Sequence, residues 1–341
     1  MSGPGRPMNL AALLDHAATL DAEYERHLAS HLTMALCALK RLGASDERLA
    51  AFATTYASRL GAAPPAAPWP AGEAWRSRLG DPAAWPAYRD LFWHWLLTED
   101  AVPVLAQSLP TLMQGCAGAA FHGLIRVGYA VQSGHGRELA DALAYWACRW
   151  LPLGPASPAP PAGPVADPLA VLKGLCMPRP AGGLIAVRMH AAALNPGFAQ
   201  AVAPLRLDEG TLPRLARTAA RVYAASGNFT ALHLVTSAHA LRVLWPLMTP
   251  PGAEPAPAAQ AALAHYWHAY AAGWVASGAV LGRATPPLPW AELVAAALGS
   301  DDDHLIKLVD ACREEQQAHG GAPDWQRAAS RAVAQASQAA R

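Results

Sequence analysis

The sequence has no charge excess of either sign. It carries 26 Lys and Arg against 25 Asp and Glu in 341 residues. There is thus no basic surplus to neutralise phosphates, and neither nucleic acid nor an anionic membrane surface is an expected partner. Cysteine is scarce and scattered: Cys37, Cys116, Cys148, Cys176 and Cys312 are odd in number and form no C-x-x-C pair. That excludes a disulfide framework or zinc knuckle read from spacing and fits a reducing cytoplasm. The opening MSGPGRPMNL lacks an apolar core and cleavage motif, so no signal peptide is expected. Apolar runs are broken by His, Arg, Gly or Pro before about 18 residues, so no membrane span is expected. G-x-G-x-x-G, Walker A, H-E-x-x-H and G-x-S-x-G are all missing. A flavin or dinucleotide site therefore has no visible apparatus.

What is present is apolar residue, 53% of the chain, rich in alanine and poor in β-branched types. That balance favours helix. Proline-rich stretches at 62–70, 152–168, 250–257 and 286–289 remove backbone donors and read as loops. Between them the 3.6-residue period predicts helices over 10–42 (with one interruption), 90–98, 109–132, 137–150, 212–225, 229–247, 258–281 and 290–298. Another starts at Ser300, where Ser300 and Asp303 read as a capping box, and Gly43 is placed to end the first. No run of alternating strands occurs. The expected fold is all-α: a multi-helix array with an internal, histidine-lined cavity. Residues 152–168 mark the best boundary between an N-terminal half (1–151) and a C-terminal half (169–341). The two read either as packed halves or as one integrated domain around a surface loop.

Thirteen histidines are the chemical resource of the chain. His122 lies among small and apolar residues, with Gly118, Gly123 and Gly128 spaced for close helix approach and Arg126 one turn on. An imidazole and a guanidinium there need partners, whether structural or functional. His233 follows an apolar run, and His239, six residues later, falls about 120° around the helix, so the two do not share an ion. His27 and His31 have the i, i+4 spacing that can seat two imidazoles on one metal, a pattern that Ala-rich helices also produce by chance. Asp303, His304, Lys307 and Asp310 share one helical face opposite Leu305, Ile306, Leu308 and Val309. That pattern is an ordinary amphipathic helix unless the polar face looks into a cavity. Twelve tryptophans, among them Trp93, Trp95, Trp146, Trp150 and Trp267, are candidates for aromatic cavity walls.

Segments 30–44, 120–134, 232–242 and 302–312 resemble, in order, those of the questin oxidase-like family. Ser30-His31-Leu32-Thr33-Met34 resembles its N-H-L-P-H pattern, and His122-Gly123-Leu124-Ile125-Arg126 its H-P-L-I-H. Leu232-His233-Leu234-Val235-Thr236-Ser237 resembles M-H-L-x-T-S, and His304 to Leu308 matches H-x-I-K-L. Met34 and Arg126 depart from it, each standing where the fungal pattern has histidine. The family includes fungal enzymes acting on anthraquinones and related polyketides. The resemblance implies an oxidoreductase that inserts oxygen into, or cleaves, a polycyclic aromatic or quinone-type ketone, with a Baeyer–Villiger-like outcome. His31, His122, His233, His304 and Lys307 are then the expected metal ligands, with Lys307 carboxylated by CO2 to give an anionic oxygen donor. Without a flavin site, non-haem Fe(II) is the economical partner for O2. His190, His239 and Arg126 are expected near the reacting groups as proton carriers or donors. Whether NADPH is consumed stays open. So do a metal-independent oxygenase using histidine acid–base chemistry and a non-catalytic helical ligand-binding protein.

Overall fold

Helix termini in this chain are written by short polar side chains. Asn9 caps the first helix by accepting from the Ala12 amide at 3.0 Å, and Ser45 does the same for Arg48. Gly43 adopts φ 100° to end the second, as its position predicts. The computed structural model describes residues 8–25, 27–154, 163–250 and 252–339. Of the expected linker 152–168, residues 155–162 lie outside the described residues.

The order begins with α1 (Leu10–Ala17), a two-stranded antiparallel hairpin of β1 (Glu23–Tyr24) and β2 (Leu28–Ala29), α2 (Leu32–Leu42) and α3 (Asp46–Ala57). Then come α4 (Trp85–Thr98), α5 (Ala101–Leu112), α6 (His122–Ser133) and α7 (Gly136–Cys148). Short α8 (Pro168–Gly174), α9 (Ile185–Ala193) and α10 (Phe198–Val202) lead to α11 (Thr211–Ser226) and α12 (Phe229–Met248). The chain closes with α13 (Pro257–Ser277), α14 (Trp290–Leu298), α15 (Asp303–His319) and α16 (Asp324–Ala339). The fold is all-α, as the periodicity predicts.

Two helix expectations are corrected. The expected single interruption of 10–42 is the hairpin; what is corrected is the helical placing of His27 and His31, because His27 sits in the hairpin turn with φ 77° and an exposed ring and the two share no helix face. The stretch 109–132 is two helices, because Ala119, Ala120 and Phe121 all take left-handed φ between them.

The middle of the fold is α12, which packs on α6, α11, α13 and α15, while α2 packs on α6 and α15. Small residues set these distances. A Cβ on Gly128 would stand 2.9 Å from the Ala240 Cβ, and one on Gly123 2.7 Å from Trp146. Helices from both sides of segment 152–168 thus contribute to one contiguous apolar core.

One buried carboxylate in this core is expected to make stability depend on pH. Glu315 of α15, closed off from solvent, accepts from His239 Nδ1 at 2.9 Å and pairs with Arg242 and His319. Burial pushes its carboxyl up, but those hydrogen bonds and charges more than offset it and hold it well below the usual range. A depressed folded-state value stabilises above the unfolded pKa of about 4.3 and is lost as pH falls below it. The stability gap between the wild type and Glu315→Gln, measured by denaturant unfolding, should therefore be widest near neutrality and close in acid. A gap that is constant from neutrality into acid contradicts this.

Candidate metal centre

Four imidazoles meet where the starts of α2, α6, α12 and α15 converge. His31 is the residue before α2, and its backbone N–H donates to the Tyr56 hydroxyl at 2.8 Å. His122 opens α6, directly after the three left-handed residues. For a residue with a Cβ that conformation costs on the order of 1–2 kcal/mol, so the surrounding packing must impose it. One cause is visible at Gly118, where a Cβ would lie on the Arg149 carbonyl, so this backbone is pressed against its neighbour. His233 lies one turn into α12, and His304 is the second residue of α15.

The ring centroids form a closed circuit. His31 to His122 is 4.6 Å, His122 to His233 5.0 Å, His233 to His304 6.0 Å and His304 to His31 4.6 Å. Each ring is held by the same nitrogen. His31 Nδ1 donates to Asp303 Oδ1 at 2.5 Å and His304 Nδ1 to the same oxygen at 2.9 Å. His233 Nδ1 donates to the Phe229 carbonyl at 2.9 Å, and His122 Nδ1 donates to the Ala119 carbonyl. A carbonyl or an ionised carboxylate only accepts, so Nδ1 carries the proton in all four rings and Nε2 is left as the basic nitrogen. His31 Nε2 and His122 Nε2 stand 2.6 Å apart, within hydrogen-bonding distance of each other.

Burial keeps three of these rings, His31, His122 and His233, neutral. Burial, reinforced by Lys307 and opposed by Asp303, lowers His31 to about 3. Burial likewise holds His122 and His233 well below the ordinary histidine value, helped by the neighbouring imidazoles. Burial would raise Asp303, but His31 and the hydrogen bonds from His304 and His31 outweigh it and keep the carboxylate ionised. Lys307, 2% exposed one turn after Asp303, is pulled down to about 8 by burial against the upward pull of Asp303 and Asp302.

The structure thus brings His31, His122, His233, His304 and Lys307 into one buried neighbourhood. It does not bring Arg126, His239 or His190 there. Arg126 is locked into a bidentate pair with Glu138 at 2.7 and 2.8 Å. His239 faces Glu315 on the other side of α12, and His190 is exposed on α9. The expected tryptophan walls are absent too: Trp146 and Trp267 are core, Trp93 and Trp95 lie on α4, and Trp150 donates to the Thr111 carbonyl. The aromatic residues lining the cavity are Tyr24 and Phe229.

Asp303 is the residue that sequence reasoning misplaced. Asp302, not Ser300, caps α15, accepting from the His304 and Leu305 amides at 2.9 and 3.3 Å. That frees Asp303 to orient two imidazoles. Its presence beside His304 and one turn before Lys307 was the available signal. Nor is α15 a surface amphipath, since Asp303, Lys307 and Asp310 are all buried.

A cavity of about 400 Å³ opens onto all four imidazoles. An all-helical protein with four clustered imidazoles beside a cavity is the class that fold and site define. The sequence profile described as questin oxidase-like matches residues 28–164 and 211–312, and the chain belongs to that family. Comparison with curated proteins gave no match. The family description points to an oxidase or oxygenase acting on a small molecule. No helix among the described residues is long and apolar enough to cross a membrane.

Proposed function

We propose that the protein is a non-haem iron oxygenase that inserts oxygen into, or cleaves, a polycyclic aromatic or quinone-type ketone. His31, His122, His233 and His304 would hold the ion through Nε2, with Lys307, carboxylated by CO2, supplying an anionic oxygen. The observation that carries this reading is the closed circuit of four imidazoles, in which Nδ1 of His31, His122 and His233 is committed to protein oxygen and His304 Nδ1 lies 2.9 Å from the Asp303 carboxylate. Nε2 lone pairs as close as those of His31 and His122 repel unless a cation or a proton lies between them. Bound iron would supply the electrons that let triplet O2 react with a closed-shell substrate.

The remaining work belongs to the chain. Asp303 fixes the orientation of His31 and His304 and raises their basicity as donors. The Ala119 and Phe229 carbonyls do this for His122 and His233. Leu28, Leu184, Ile185 and Phe229 give the cavity apolar walls that suit a flat ring system and keep bulk water off it.

Elemental analysis of freshly purified protein is expected to give about one iron per chain, the stoichiometry of a single closed ligand set. Oxygen uptake with a hydroxyanthraquinone probe should stop on chelation and return with Fe(II). Full oxygen uptake by metal-free protein would sink the proposal and leave histidine acid–base chemistry in its place.

A further inference from the structure

Arginines inside this fold hold carboxylates: Arg41 with Asp310, Arg89 with Asp141, Arg126 with Glu138, Arg242 with Glu315. Arg188 of α9 holds none. Its Nη2 donates to the Thr230 hydroxyl at 3.3 Å, and its Nε, shut off from solvent, donates to nothing. Among the described residues it pairs with no carboxylate. The one charged neighbour acting on it is Arg179, which adds to burial in pulling its guanidinium down.

Arg188 lines the histidine cavity, and no Asp or Glu among the described residues does so. Leu184, Ile185 and Ala186, the start of α9, line the same wall, and no side chain caps that helix. Its first-turn amides and the positive end of its dipole add to the same sign of potential. Phe229, which opens α12, adds an apolar ring to the same cavity. Beside the imidazoles, the cavity wall therefore presents an unmatched guanidinium and the uncapped start of α9, with no Asp or Glu among its described lining residues.

We propose that this end of the cavity binds an anionic oxygen on the aromatic substrate, a carboxylate or a phenolate, with Arg188 as the residue that recognises it. The planar fork of the guanidinium suits two oxygens, and an unpaired cation at a partly dehydrated wall gains most from a charged partner. The inference rests on reading the cavity as the substrate site and adds the charge class of that substrate.

Calorimetric titration of the full chain, as isolated and after chelation, tests it without turnover. The probes are 1-naphthoate against 1-naphthamide, and 2,4-dinitro-1-naphtholate against its methyl ether. At least one anion should bind about tenfold or more tighter than its neutral partner, as a charge-assisted pair requires. The pair showing the gap identifies the source of the oxygen. Arg188→Gln should remove the gap while leaving the neutral probe's affinity unchanged. Should the glutamine variant not fold, Arg188→Lys, which keeps charge but loses the fork, should narrow the gap. The idea is overturned by equal affinities in the wild type, by no binding of any probe at millimolar concentration, or by a gap indifferent to Arg188. A gap that survives chelation stands even if the protein consumes no oxygen, and lost oxygen uptake with the gap intact brings down the oxygenase reading alone.

Discussion

Replacing Lys307 or His31 with alanine is expected to lower the affinity for iron by about a hundredfold or more, and Asp303→Asn by about 10–100-fold. The ordering follows from position. His31 and Lys307 are proposed to touch the ion, whereas Asp303 acts through the two imidazoles it orients. An asparagine at 303 can still accept from one Nδ1–H, but it lacks the charge that makes both rings strong donors. Iron retention after dialysis, with unfolding midpoints as the folding control, checks all three. Wild-type retention in Lys307→Ala, with loss in His31→Ala, would leave the imidazoles as the site and strike out the lysine. Retention in both variants would end the proposal.

Arg126→Met should destabilise the protein by about 3–5 kcal/mol, because it leaves the buried Glu138 charge without its cation. Arg126 and Glu138 are 6% and 2% exposed, and only the Thr33 hydroxyl, at 2.7 Å, would remain to satisfy the carboxylate. Adding Glu138→Leu to Arg126→Met removes the stranded charge and should recover most of the loss, since a desolvated pair and its apolar isostere are often nearly equal in energy. Denaturant unfolding of both variants reads this. A loss below about 1 kcal/mol in Arg126→Met would mean that water reaches the pair. Iron content should change little in either variant, since the pair stands outside the histidine circuit.

The comparison of sequence with structure divides along physical lines. The all-α class was legible because the 3.6-residue period and the alanine content point the same way, and 290–298 emerged with its bounds as expected. Four of the imidazoles and Lys307 were legible only through the family patterns, since no local spacing joins residues that meet from four helices. The break at Ala119–Phe121 was invisible, because alanine is the best helix former and its left-handed φ is imposed by tertiary contacts such as the one at Gly118. Asp303 was mistaken for a cap because a carboxylate at a helix start has a sufficient local explanation, which hides a long-range one. His27 and His31 misled for the converse reason. One i, i+4 pair by itself does not establish a helix, and here the backbone turns back at residue 27.

The circuit of rings has an implication for how the molecule matures. His31 meets a partner 272 residues away in Asp303 and another 91 residues away in His122. Chain closures of that length must all be made before the pocket has any shape. No fragment of the polypeptide assembles it, and no early turn of helix can capture an ion and grow from there, as small zinc modules do. An ion held there, as proposed, would be delivered to a finished scaffold, and its occupancy would report on how much of the population has reached its final topology.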